Sequence, residues 1–123
     1  MARIFIIEDE AQVLTLAESV LQEAGHDTIS ASTVAEAQAI VHSVEEFDLV
    51  FTDIGLADQL EGGITVGQAV EQARSGTPVV YTSGRALTDG MQSLFSERSA
   101  FLPKPYTAQQ LIEVVDDILE RSA

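Results

Sequence analysis

The sequence predicts an α/β fold in which five parallel strands alternate with five helices. Three observations carry that expectation. Short apolar runs recur along the chain, and each is followed by apolar positions at helical spacing. The runs are continuous rather than alternating, as expected of parallel strands buried on both faces of a sheet. Finally, several runs end in a polar residue that handles phosphate or a hard cation. Ile4-Phe5-Ile6-Ile7 meets Glu8-Asp9-Glu10, Leu49-Val50-Phe51-Thr52 meets Asp53, Val79-Val80-Tyr81-Thr82 meets Ser83, and Phe101-Leu102 leads through Pro103 to Lys104-Pro105. In a parallel sheet all four ends share one edge.

The elements follow in order. After the first strand, Val13, Leu16, Ala17, Val20 and Ala24 recur at helical spacing, with Leu14 and Leu21 at the shoulder of that face and Gly25 as the stop. Asp27 to Ser30 is a short second strand. Thr33-Val-Ala-Glu36 is a capping-box pattern, and Val34, Ala37, Ile40, Val41 and Val44 form one face of the helix behind it. Asp48 to Thr52 is the third strand, and a loop with Gly62-Gly63 leads to a helix over Ile64–Arg74. Gly76-Thr77-Pro78 punctuates the entry to the fourth strand. A helix over Thr88–Ser96 and a short strand at Ala100–Leu102 come next. Thr107-Ala-Gln-Gln110 caps the last helix, with Leu111, Val114, Val115 and Ile118 inward and Ile112 and Leu119 at the shoulder.

Right-handed crossovers place helices on both faces of such a sheet, and ligands bind beyond the strand C-termini where the strand order reverses. The flavodoxin-like, doubly wound (βα)5 order 2-1-3-4-5 puts that point between strands one and three, where Glu8, Asp9 and Asp53 already stand.

The bulk numbers narrow the classes. One domain over 1–123, with 46% hydrophobic residues, is long enough for a real core. Cysteine is absent, which excludes disulfides and thiolate metal sites. No apolar stretch reaches the length of a membrane span and no secretory signal pattern opens the chain, so a cytoplasmic domain is expected. Six basic against 20 acidic residues, a net charge of −14, argue against direct binding to nucleic acid or an anionic membrane.

Glu8, Asp9 and Asp53 make an all-oxygen, strongly negative pocket suited to a hard divalent cation such as Mg²⁺. Crowded carboxylates raise one another's pKa unless a cation neutralises them. Lys104 adds a fixed positive charge that pairs with Asp53 or a phosphoryl oxygen. Phosphoryl transfer asks mainly for positioning and charge neutralisation, and a carboxylate can be its nucleophile. Asp53 suits that role, alone at the central strand's end. Ser83 next door is placed to hydrogen-bond a phosphoryl group, and Gly84 leaves the approach open.

Together these four motifs, in order and at their spacing, resemble the receiver domain of two-component response regulators over essentially the whole chain, of the stand-alone CheY-like type. The resemblance implies Asp53 as phosphoacceptor, Asp9 and Glu8 as the acid pair holding Mg²⁺, and Gly55 as a backbone-carbonyl ligand. It implies Ser83 as switch hydroxyl, Lys104 as the phosphate-pairing lysine, a cis Lys104–Pro105 bond, and Phe101 as the aromatic switch. The implied donor is a phosphohistidine on a histidine kinase or histidine phosphotransfer protein. The output is a conformational change read by a protein partner, from a monomer or a weak, phosphorylation-dependent dimer. The domain is then no enzyme beyond its own phosphorylation and dephosphorylation.

The sequence also departs from the family pattern. Asp58-Gln59-Leu60-Glu61 reads as a small insertion, and Gly55 and Arg85 occupy positions that tune phosphoryl lifetime in the family. Two other readings compete. One is an unphosphorylated interaction module. The other is a small aspartyl-phosphate phosphatase of the haloacid-dehalogenase type, which wants a second acid where this chain has Gly55. Phe101 reads equally as a core aromatic. His26 and His42 read as surface residues, and the shoulder leucines as helix–helix packing, with kinase docking through the first helix as the alternative.

Overall fold

A computed structural model describes residues 2–122, Ser122 through its backbone alone, so the ends of the expected domain at Met1 and Ala123 lie outside the described residues. The element order is β1 (Arg3–Ile7), α1 (Ala11–Glu23), β2 (Asp27–Ala31), α2 (Val34–Val41), β3 (Leu49–Asp53), α3 (Gly62–Ala73), β4 (Val79–Ser83), α4 (Asp89–Gln92), β5 (Ser99–Pro103) and α5 (Ala108–Ser122). The strands form one sheet in the order β2-β1-β3-β4-β5, every pair parallel. This is the doubly wound, flavodoxin-like arrangement the alternating pattern predicts.

Strand alternation sends successive side chains to opposite faces, and each face is covered by its own helices. On one side Phe5, Ile7, Val50, Val79 and Tyr81 pack with Val34, Ala37 and Val41 of α2 and Val66 and Val70 of α3. On the other, Ile4, Ile6, Phe51, Val80 and Leu102 pack with Ala17 and Leu21 of α1 and Leu111, Val115 and Ile118 of α5. β3 and β4 are buried throughout, whereas the edge strand β2 is fully buried only at Ala31. The central strands are therefore the rigid platform on which Asp53 and Ser83 stand.

Several expectations shift. α1 is rotated from the predicted face: Leu21 is fully buried, Leu14 packs on the core, and Leu16 is 59% exposed. Three of the four shoulder positions, Leu14, Leu21 and Leu119, are thus packing positions, the outcome favoured for them, while Ile112 is half-buried outside the cluster. Val44 lies beyond the end of α2 and is exposed. His26 is not a surface residue, since its side chain is only 8% exposed. Its Nδ1 accepts the Ala2 N–H at 3.1 Å, and its Nε2 lies 3.6 Å from Asp116.

The largest difference is α4, one turn instead of the predicted Thr88–Ser96. Thr88 caps it as expected of a threonine, accepting the Met91 N–H, but the chain then leaves the helix at Ser93. Two interactions draw it away. The Phe95 ring stacks on Tyr81 at 3.9 Å and 14°, and the Ser96 N–H donates to the Tyr81 hydroxyl at 3.0 Å. Burying an aromatic ring outweighs the few tenths of a kcal/mol per residue that another helical turn would contribute.

The Asp58–Glu61 loop after β3 has a structural job. Leu56 and Gln59 pair across a tight turn, and the Asp58 carboxylate accepts the Val34 and Ala35 N–H groups at 3.0 and 3.4 Å. Thr33 accepts the Glu36 N–H, so the free donors of the first turn of α2 are largely satisfied. At the other end of α2, Arg74 donates to the carbonyls of Ile40, Val41 and Ser43, with its guanidinium 4.2 Å over the Phe47 ring. An anion at the N-terminus and a cation at the C-terminus both complement the helix dipole. Asp58→Ala is expected to cost about 1 kcal/mol, the typical value of a lost N-cap, measured by urea denaturation.

Candidate functional site

Register brings the predicted residues together. Ile7 pairs with Thr52, so Glu8 and Asp53 stand side by side at the ends of β1 and β3, and Asp53 pairs with Thr82 on β4. Ser83 pairs with Pro103, which puts Lys104 one step beyond the end of β5. Lys104 reaches back across the edge. Its Nζ donates to Glu8 Oε1 at 2.9 Å and to Asp53 Oδ2 at 3.0 Å. The Lys104–Pro105 peptide bond is cis, as expected.

The three acids converge. One carboxylate oxygen each of Glu8, Asp9 and Asp53 lies within 4.8 Å of the others. Glu8 is 4% exposed and Asp53 9%, while Asp9 is half-buried. The remaining Glu8 oxygen accepts the Glu10 N–H at 3.2 Å, so the acid is held from both sides. Burial pushes the Glu8 carboxyl above its ordinary range, and the Lys104 hydrogen bond only partly offsets this. For Lys104, burial disfavours the charge, but its hydrogen bonds to Glu8 and Asp53 outweigh that and hold the ammonium above the usual lysine value. It is therefore charged throughout the neutral range.

Asp53 opens into a cavity of about 490 Å³, lined also by Gly55, Leu60, Ser83, Arg85 and Lys104. Ser83 Oγ accepts the Arg85 N–H at 3.0 Å, which leaves the hydroxyl proton free to donate. Phe101 lies on the α2–α3 face of the sheet, the side that Ser83 takes by strand alternation, half-buried and 6.4 Å from the Phe95 ring. It belongs to a Tyr81–Phe95–Phe101 aromatic row.

Two contributions escaped the sequence reading. The Glu10 N–H is a backbone group and carries no residue-type signal. Gly63 is legible as a glycine but not as a contact: a Cβ there would lie 2.0 Å from the Asp53 carbonyl oxygen. The start of α3 is pressed directly on the backbone at the end of β3, with Gly63 N–H donating to Ile54 O at 2.9 Å.

The family model for the response regulator receiver domain matches residues 4–116. The chain belongs to that family. As a receiver it is similar to response regulator protein PilR of Pseudomonas aeruginosa, 34% identical over 111 residues, which are 89% of this chain and 24% of that protein. It is also similar to the transcriptional regulatory protein GlrR of Escherichia coli, 26% identical over 99% of this chain and 27% of that protein. The receiver thus spans about a quarter of the length of these curated relatives. Among solved structures, a response regulator receiver protein from Sinorhizobium medicae superposes with a TM-score of 0.89 at 31% identity, covering 98% of this chain and 96% of that one. Among the described residues of this receiver, no helix is long and apolar enough to cross a membrane.

Proposed function

We propose that this receiver accepts a phosphoryl group on Asp53 from a phosphohistidine of a histidine kinase or phosphotransfer protein. The observation that carries the proposal is the Lys104 ammonium bound to Asp53 and Glu8, beside a third carboxylate, at the mouth of an open cavity. In the transfer an Asp53 oxygen attacks phosphorus and the P–N bond to imidazole breaks. The bonding pair stays on the imidazole nitrogen, which takes up a proton. Lys104 neutralises a phosphoryl oxygen, and Ser83 donates its free hydroxyl proton to another.

The donor set fits magnesium: only oxygens, mostly buried and crowded, with no nitrogen or sulfur ligand among them. Glu8, Asp9, Asp53 and the Gly55 carbonyl would hold Mg²⁺, which when bound neutralises charge on the phosphoryl oxygens and relieves repulsion among the acids. The added charge then biases a two-state equilibrium, read through Ser83, Phe101 and the α4–α5 face by a protein partner. The exposed Leu16 of α1 is the docking candidate for the donor, in place of Leu14. No separate substrate is turned over; Gly55 stands where an aspartyl-phosphate phosphatase wants its second acid.

Incubation with acetyl phosphate and Mg²⁺, followed by intact-protein mass measurement, tests this. The expected result is one phosphoryl adduct, absent in Asp53→Asn. An adduct that persists in the variant would move the acceptor elsewhere. No adduct in the wild type, from this donor or a phosphohistidine protein, would leave an interaction module; sustained phosphate release from many substrates would indicate a phosphatase.

A further inference from the structure

Thr82 is 1% exposed, and its Oγ1 is the one buried side-chain nitrogen or oxygen without a hydrogen-bond partner among the described residues. An unpaired buried hydroxyl is costly, and valine would fill the same space without the cost. Its place in the sheet explains the retention. Thr82 follows Val80 by two residues, so its side chain faces the same side as Val80, towards α1 and α5. Asp53 follows Phe51, Glu8 follows Ile6 and Lys104 follows Leu102 by the same interval, each on that side. Thr82 is paired in register with Asp53 on one side and Leu102 on the other. Ser83, by the same alternation, faces the opposite way.

Lys104 completes the geometry. Adjacent strands lie about 4.8 Å apart, so a side chain rooted beyond β5 crosses β4 to reach Asp53 on β3. The β4 residue on that row and face is Thr82. Register and face thus place Thr82 on the strand between Lys104 and Asp53, the carboxylate whose Oδ2 has Lys104 as its hydrogen-bond donor.

We propose that Thr82 is a positioning residue of the acceptor site, whose hydroxyl pairs with Asp53 Oδ2 in the phosphorylated state. This rests on Asp53 being the acceptor. When a phosphoryl group joins the other Asp53 oxygen, its dianion competes for the Lys104 ammonium, and Oδ2 becomes an acyl carbonyl oxygen short of a donor. Thr82 is the spare donor in the adjoining position. On hydrolysis, water attacks phosphorus and the bond from phosphorus to the Asp53 oxygen breaks. Its electron pair returns to the carboxylate, and the water's proton passes to solvent. Negative charge then builds on Oδ2 as well, so a hydrogen bond there is stronger in the transition state than in the acyl phosphate.

The test compares wild type, Thr82→Val and Thr82→Ser after acetyl phosphate and Mg²⁺. Thr82→Val is expected to keep its fold, to lengthen the phosphoryl lifetime by about threefold to tenfold, and to raise the acyl carbonyl stretch in the infrared difference spectrum. Thr82→Ser, which keeps the hydroxyl, restores both. A carbonyl stretch and lifetime unchanged in Thr82→Val, with normal phosphorylation, overturn the Thr82 assignment alone. Failure of the wild type to take up any phosphoryl group overturns the acceptor reading and the Thr82 assignment with it.

Discussion

Lys104→Met is expected to destabilise the protein by about 3 kcal/mol at pH 7, and to reduce phosphoryl uptake at Asp53 at least tenfold. The lysine is the only cation whose ion pairs reach the Glu8–Asp53 cluster among the described residues, with side-chain exposures of 5% for Glu8 and 12% for Asp53. Removing one member of a buried pair leaves the others desolvated and mutually repelling. The cost is also pH-dependent, and its sign follows from Glu8. The folded state already binds a proton there more tightly than the unfolded chain does, so stability falls as pH rises from the ordinary carboxylate range through the raised value. Without Lys104 that window moves higher still. The stability deficit of Lys104→Met relative to wild type should therefore shrink as pH falls from 7 towards about 4.5. Thermal melts across that range, without Mg²⁺, measure it; a constant deficit would mean that lost packing of the lysine stem is the whole effect.

Gly63→Ala is the second large effect, about 3 kcal/mol by overpacking. The added methyl would meet backbone, not flexible side chain: the Asp53 carbonyl oxygen at 2.0 Å, the Ile54 Cα at 2.7 Å and the Asp53 carbonyl carbon at 2.8 Å. None can swing aside, so the start of α3 must lift from β3 and the Gly63–Ile54 hydrogen bond stretches. Since the displaced strand end carries Asp53, phosphoryl uptake should fall together with stability. Gly84→Ala is the matched control. A Cβ there meets nothing within 4 Å, so the variant should melt with the wild type. Loss of about 10 °C in melting temperature is expected for Gly63→Ala.

What could be read beforehand follows from which forces act locally. The strands were legible because burial on both faces makes them continuous apolar runs, and the site because Glu8, Asp53, Ser83 and Lys104 end those runs in one register. Thr107 and Gln110 form the reciprocal cap their spacing predicts. Thr33 and Glu36 do so only by half, since Glu36 turns instead to Ser32. The misses are tertiary. Leu14 and Leu16 differ by two positions on one helix, and the spacing of apolar residues does not decide which of them meets α5. α4 stops early because Phe95 finds Tyr81, a partner fourteen residues away in sequence. His26 has no ligand spacing, yet it is buried by contacts from Ala2 and α5 that no local pattern records.

The clamp on α2 has a kinetic consequence. Asp58 comes from the loop that follows Asp53 and Arg74 from the cap of α3, so both anchors of α2 belong to the α3 side of the molecule. Opening α2 without breaking them is not available to it. Its amide protons should therefore exchange with those of α3 as one cooperative unit, rather than with the lightly covered edge strand β2 beside it. The loop on the far side of the cavity, after Ser83, is held by the local Arg85 N–H to Ser83 Oγ bond and by Leu87 packing partly buried on the core. Of the two walls of the cavity, the one built from Asp58–Glu61 is fixed to a helix pair, and its amides should exchange more slowly than those of the loop after Ser83.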